Sequence, residues 1–282
     1  MKTFKLTQTT AAILALSAGL AQAAPVSIWT ANVNSTFDPL SIVATDGSPG
    51  GVAISNGNRT LRWGTDIGTG QSGLDITNSP ISTNLTTNGP AVANISITHV
   101  NQPIQAPSLD RVNILSTLTL TPFLPALPGL PAVTLSFGVN FLETPNGGTG
   151  GFCADGAAVG SGGVNINGCA DIFVLESNSL NFSFFYDTDG LGGDPSQEYF
   201  ISFFEQSLGL NPLSAAACLA ATGVAAPCLG FETPEGLNTT VNFAAVITTD
   251  EVVIRVPEPA SLALLGLGLL GLGWSRRKQQ KS

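Results

Sequence analysis

The chain has 282 residues, of which only 10% are charged, and a formal net charge of −9. All its lysines lie near one end or the other, leaving Arg59, Arg62, Arg111 and Arg255 with one histidine against the 18 acidic residues from Asp38 to Glu251. An acidic surface repels phosphate, which excludes nucleic acid as a partner, and the abundance of Thr, Asn and Gly around short apolar runs excludes a disordered chain.

The N-terminus has three parts in order: Lys2 and Lys5, the apolar run Ala11 to Leu20, and the small-x-small site Ala21-Gln22-Ala23. That is the pattern of a secretory signal peptide over residues 1–23, cut after Ala23. The expected mature domain is 24–256, long enough to bury one large β core.

Within it, period-two runs recur between Gly, Asn and Pro punctuation. The pattern predicts strands at Val26–Val33, Thr60–Trp63, Val92–Val100, Arg111–Leu120, Val133–Leu142, Ile172–Leu175, Phe182–Tyr186, Tyr199–Phe204, Thr239–Thr248 and Val252–Val256. Asp46-Gly47, Asn56-Gly57, Asn88-Gly89, Asn146-Gly147 and Asp189-Gly190 supply turns between them. Pro122 to Pro131 reads as an extended crossover or edge cover, since proline cannot donate to a ladder. One short helix is expected at Leu213–Thr222, alanine-rich and ended by Gly223. The fold class that follows is all-β, an antiparallel β-sandwich of jelly-roll type.

A strand through Val92–Val100 puts Ile95, Ile97, His99 and Asn101 on one face and Thr98 on the other. Thr98, His99 and Asn101 therefore cannot converge from that strand without a bulge. His99 would be the natural general base of any enzyme here. On an apolar face next to a strand end, though, it reads first as a hydrogen-bonded structural residue, with Asn101 shaping the following turn. Trp63 reads first as packing and second as a sugar-stacking platform.

Four cysteines in an exported chain imply disulfides, and the local pairs Cys153–Cys169 and Cys218–Cys228 are the default among three pairings. No pair has the Cys-x-x-Cys spacing of a zinc site. Asp187, Asp189, Gly192 and Glu198 fall at positions one, three, six and twelve of a calcium-loop pattern, with Asp194 a further carboxylate. Leu191 breaks the pattern at position five and the flanks read as strands, leaving a non-helical calcium loop or a solvated hairpin tip as the two readings. Calcium is the one cofactor the sequence suggests. Glu143, Glu176, Glu205, Glu232 and Glu235 could supply a glycosidase carboxylate pair, although nothing in their spacing favours it. No Gly-x-Ser-x-Gly elbow, His-Glu-x-x-His or Walker loop occurs, so the expected class is not an enzyme.

The C-terminal residues 257–282 open on Pro257-Glu258-Pro259, continue through an uncharged apolar stretch and end on Arg276-Arg277-Lys278. The 15 residues from Ala260 to Trp274 would make roughly 22 Å of helix, short of the roughly 30 Å hydrocarbon core. Such a short, glycine-rich segment reads as a hydrophobic helix held in the inner membrane until it is cut, with the basic end on the cytoplasmic side.

Val256 to Ser261, the Leu/Gly-rich segment and the Arg-Arg-Lys end together resemble the PEP-CTERM sorting signal of Gram-negative bacteria. The resemblance implies recognition by an exosortase, cleavage around Pro257, Glu258 and Pro259, and a setting in which exopolysaccharide is made. Ile97-Thr98-His99-Val100-Asn101-Gln102-Pro103-Ile104 resembles the signature of the THxN family of PEP-CTERM proteins, and Arg62-Trp63-Gly64-Thr65 and Gln71-Ser72-Gly73-Leu74 are similar to it too. That resemblance implies an architecture and an address. The expected function is an exported cell-envelope or extracellular-matrix protein, structural or adhesive among exopolysaccharide, anchored in the inner membrane before processing and at the cell surface or outside the cell after it. Two alternatives stay open: a carbohydrate-binding module, calcium-assisted through the Asp187–Glu198 loop, and a secreted hydrolase.

Overall fold

The computed structural model describes residues 25–45, 47, 51–175, 181–188, 197–207, 210–225 and 227–251. The signal peptide, the strand expected at Val252–Val256 and the whole sorting tail, including its hydrophobic helix, lie outside the described residues.

In chain order the strands begin with β1 (Ile28–Phe37), β2 (Val43–Ala44), β3 (Val52–Ser55), β4 (Thr60–Trp63), β5 (Thr65–Asp66) and β6 (Ser72–Thr77). There follow β7 (Ile81–Thr86), β8 (Val92–Val100), β9 (Ile104–Gln105), β10 (Leu109–Leu124), β11 (Val133–Leu142) and β12 (Asp171–Leu175). The last are β13 (Asn181–Tyr186), β14 (Gln197–Glu205), β15 (Asn211–Pro212), helix α1 (Ala215–Thr222), β16 (Leu229–Thr233) and β17 (Asn238–Thr248). One sheet has the order β15-β16-β12-β11-β10-β1-β7, with β2 also on β10, and the other the order β13-β14-β17-β8-β6-β4-β3. All these pairings are antiparallel, so the protein is an all-β sandwich. Pairs distant in sequence, β1 with β10 and β8 with β17, fold the chain back on itself in the manner of a jelly roll.

Alternation drives the layering. In β1, Trp29, Ala31, Val33 and Phe37 point inward while Thr30, Asn32, Asn34 and Thr36 do not. In β10, Val112, Ile114, Leu118 and Leu120 do the same over a 16-residue strand. Trp29 is ringed edge-on by Phe184, Tyr186 and Tyr199, with centroids 5.1–5.3 Å away. These aromatics tie the edge of the second sheet to the first.

The strands of strong alternation fall where the sequence predicts them, β4, β8 and β11 with the same ends. Four longer strands, β3, β6, β7 and β16, escape the pattern. β7 is a polar edge strand that buries only Leu85. β6 and β16 each carry a glycine, which weakens a strand signal. A Cβ at Gly73 would collide with the Arg62 side chain and the Leu61 carbonyl, and one at Gly230 with the Phe173 carbonyl, so close backbone approach demands both. The helix starts at Ala215, two residues later than predicted, because Ser214 caps it by accepting the Ala217 N–H at 3.0 Å. Gly223 ends it in the left-handed conformation.

Candidate functional site

The inward face of β8 carries Ile97, then His99, then Asn101 just past its end, all buried. Thr98 points outward and meets Thr240 of β17, hydroxyl to hydroxyl, at 2.8 Å. The three motif residues thus do different jobs on opposite faces.

His99 is 0% exposed. The Trp63 ring, from β4, lies nearly parallel to it at 6.0 Å, and Phe141 of the facing sheet meets it edge-on at 4.9 Å. Beyond these rings the facing sheet presents carboxyls. Asp171, the first residue of β12, is 0% exposed and brings Oδ2 to 3.8 Å from His99 Nε2. That is too long for a hydrogen bond, and neither ring nitrogen nor Asp171 Oδ2 has a hydrogen-bond partner. The expectation that His99 is a hydrogen-bonded tie is therefore corrected. The ring is held by aromatic packing against Trp63 and Phe141. Asn101 likewise does not shape its own turn; its Nδ2 donates across the sandwich to the Thr233 carbonyl of β16 at 3.0 Å.

Glu143, one residue past β11, accepts the Trp63 indole N–H at 3.1 Å. Thr144 donates its N–H to Asp171 Oδ1 at 2.8 Å, and its hydroxyl bonds the Cys169 and Ala170 carbonyls at 3.1 and 3.0 Å. Cys169 is bonded to Cys153, so the glycine-rich residues 146–168 are stapled over this end of the sandwich. A second disulfide joins Cys218 of α1 to Cys228. Glu235, in the turn between β16 and β17, is 6% exposed and completes the group.

Burial sets the protonation here. It pushes Glu143 up to about 7, the Trp63 N–H opposing the rise and the charge of Glu235 adding to it. Asp171 is held well above the usual carboxylate range, first by burial and then by the charge of Glu143. Burial also raises Glu235, against a nearby Asn146 side chain. The same cause drives His99 down to about 3, so its ring is neutral and the contact with Asp171 is not an ion pair.

Of the carboxylates considered for a pair, the fold thus gathers Glu143 and Glu235, with Asp171 added. Glu232 points elsewhere, raised by burial and then by the charge of Asp155, Glu205 caps Ser207, and Glu176 lies outside the described residues. Asp171 had one legible signal: an acid leading a strand whose five residues are all buried.

The calcium-loop residues fare differently. Asp187 is exposed just past β13, and Glu198 sits in β14 opposite Phe185. Asp189 and Asp194 lie outside the described residues. Among the described residues no three His, Cys, Asp or Glu side chains are disposed to hold a metal ion. Trp63 and Trp29 are fully buried, so neither offers a stacking face. A separate gap of about 50 Å³ between the sheets is lined mainly by apolar groups, among them Ile95, Ile97, Phe137, Phe203 and Phe243. It is too small for a sugar, being about a third of the roughly 150 Å³ apolar cavity that binds benzene.

Comparison with known families gives a match at the C-terminus: residues 255–278 fit the PEP-CTERM protein-sorting motif. A comparison with curated proteins returned no match. The chain therefore carries a sorting signal processed by exosortase, and is exported through membrane-anchored sorting to the cell exterior. Among the described residues no helix is long and apolar enough to cross a membrane.

Proposed function

We propose that the mature domain is a structural or adhesive component of the envelope or extracellular matrix, held among exopolysaccharide, and that it is a member of the THxN group of PEP-CTERM proteins. The observation that carries this reading is the position of His99. The motif's one residue suited to acid–base work is 0% exposed between Trp63 and Phe141, where it packs the two sheets together. A histidine buried in this way supports the scaffold reading. An acidic, lysine-free exterior suits cations and polysaccharide at a crowded cell surface.

A hydrolase is the second reading, because Glu143, raised to about 7 by burial, has the protonation of a general acid and lies beside a second carboxyl, Asp171. Its partner Asp171 is sealed from solvent, which weighs against it. The carbohydrate-binding alternative rests on the Asp187–Glu198 loop, since both tryptophans of the described domain are in the core.

Fractionation of an exosortase-bearing, polysaccharide-producing host tests the proposal. The processed domain should co-sediment with washed exopolysaccharide and leave it when the polysaccharide is digested. Recovery as free protein in the periplasm or medium would overturn the reading.

A further inference from the structure

The outward face of β7, β1, β10 and β11 is a grid of short uncharged side chains. Alternation against the buried Ala31, Val33, Leu118 and Leu120 turns them out, and the strand register lines them up in rows. One row runs Ser82, Asn32, Thr119, and the next Asn34, Thr117, Thr134. Neighbours within a row stand about 4.8 Å apart and the rows about 6.8 Å, as the pleat dictates. Each of these side chains ends in a hydroxyl or an amide. The other sheet differs, since its outward face carries the Arg62–Asp75 ion pair.

Over β1, β7 and β10 the face sinks into a hollow of about 300 Å³, at the lower end of the roughly 300–1,000 Å³ of small-ligand clefts. Asn32, Asn34, Ser82, Thr117 and Thr119 line it, and Pro80 and Ile81 add apolar contact. Among the described residues, the side chains of Asn32, Ser82 and Thr119 have no hydrogen-bond partner. Those around them are tied. The Thr30 hydroxyl donates to Asn84 Oδ1 at 2.9 Å, the Ser79 hydroxyl donates to Asn34 Oδ1 at 3.4 Å, and the Thr117 and Thr134 hydroxyls meet at 3.4 Å. A fixed polar frame thus surrounds one row whose hydrogen-bonding capacity is turned entirely outward.

The chemistry of the face selects its partner. A protein interface wants aromatic and arginine anchors at its centre, and these rows have none. An acidic polymer would meet a chain of net charge −9 with no cation in the rows to hold it, and Arg59 beside this edge already donates to the Ser79 and Asn56 carbonyls. Sugar hydroxyls both donate and accept, as threonine and serine hydroxyls and asparagine amides do. Short, stiff side chains also lose little freedom when they engage them. We propose that the outward face of β7, β1 and β10, centred on Ser82, Asn32 and Thr119, is the surface on which the domain holds uncharged polysaccharide. A single hollow without a stacking ring binds weakly, and a polymer that repeats its hydroxyls against many copies of the domain makes up the strength by avidity. The inference rests on reading the domain as a matrix component, and names the surface and the class of glycan it takes.

Affinity electrophoresis of the exported, processed protein tests it, with the producing host's own exopolysaccharide split by anion exchange into neutral and acidic fractions. The neutral fraction should retard the protein and the acidic fraction should not. Ser82→Ala with Asn32→Ala and Thr119→Val should weaken that retardation at least ~10-fold, since three outward hydrogen-bonding groups are lost. Thr98→Val, on the outward face of the other sheet, should bind as the unaltered chain does. Undiminished retardation of the triple variant, or retardation by the acidic fraction alone, would overturn this face and leave the matrix reading standing. No retardation of the unaltered protein by either fraction would overturn both. Should the triple variant not fold, the side-chain amide signals of the unaltered protein decide the matter on titration with oligosaccharides cut from the neutral fraction. Those of Asn32, Asn34 and Asn84 should shift while that of Asn242, on the other sheet, holds. The reverse pattern, or no shift at any of them, would contradict the proposal.

Discussion

Nε2 of His99 and Oδ2 of Asp171 face each other across the sandwich at 3.8 Å, both buried and neither hydrogen-bonded. One comes from β8 in the middle of its sheet, the other from the first residue of β12 in the opposite sheet. The contact joins the motif segment to the loop stapled by Cys153–Cys169, and most of what can be tested about this protein follows from it.

The motif residues should differ sharply in cost. Asn101→Ala removes a cross-sheet donor and leaves the Thr233 carbonyl unpaired, so it should destabilise by about 1–3 kcal/mol in urea unfolding. Thr98→Val breaks only an exposed hydroxyl pair with Thr240 and should stay within about 0.5 kcal/mol. Equal costs would mean the motif is not read correctly as a cross-sheet tie.

Trp63→Phe keeps a ring against His99 but removes the N–H that Glu143 accepts. Since that bond opposes the rise of Glu143, its loss should move the Glu143 titration above about 7, followed by carboxyl ¹³C shifts. The stability loss, about 1–2 kcal/mol, should be larger at pH 8 than at pH 5.5, because the bond matters most to the ionised acid. A Glu143 midpoint unchanged or lowered would refute this arrangement.

Stability should be greatest at about pH 4. Glu143 is raised from 4.5 to about 7, so its contribution is complete below 4.5 and is lost as pH rises through 7; Asp171 extends the loss further up. His99 is depressed from 6.5 to about 3, so its contribution is complete above 6.5 and is lost as pH falls through 3. Between pH 4.5 and 6.5 His99 offsets only one of the two carboxyls, so stability falls there, and falls most steeply just below 7. From about pH 5 to 7 the unfolding free energy should fall by about 2–3 kcal/mol, and Glu143→Gln should flatten most of that limb. A rising limb there would reverse the sign of the account.

Much of this end of the molecule was legible beforehand. The alternation in β8 puts His99 inward and Thr98 outward, and the structure has them so. What the alternation could not give was the partner. Asp171 opens a strand buried on both faces, where period-two logic fails, and Glu143 lies beyond the end of β11, where direction is set by the turn. The neighbouring β6 and β16 were hidden by Gly73 and Gly230, whose reason is a tertiary approach and not a local preference. The role of Asn101 was missed for the same cause: its partner, Thr233, is 132 residues away.

The disulfide over the site should matter both globally and locally. Replacing Cys153 and Cys169 by Ser opens a loop with a sequence separation of 16, which should cost about 3 kcal/mol by the chain-entropy argument. Exchange protection at Thr144 and Asp171 should fall before that of β1 and β10. Uniform loss in a thermal melt with no local effect would show that the staple does not hold the cluster.

We propose that this exported domain serves the matrix by its fold and not by chemistry. The most direct measurement is rescue of matrix cohesion at pH 6.5 in a polysaccharide-producing host from which the chain has been deleted. Glu143→Gln with Asp171→Asn, which leaves no ionisable pair at the site, should restore cohesion as the unaltered chain does. Pro257→Ala with Glu258→Ala and Pro259→Ala, which removes the processing motif, should not. If the carboxyl variant were exported, folded and unable to restore cohesion, the protein would be acting through that site, and the scaffold account would be wrong.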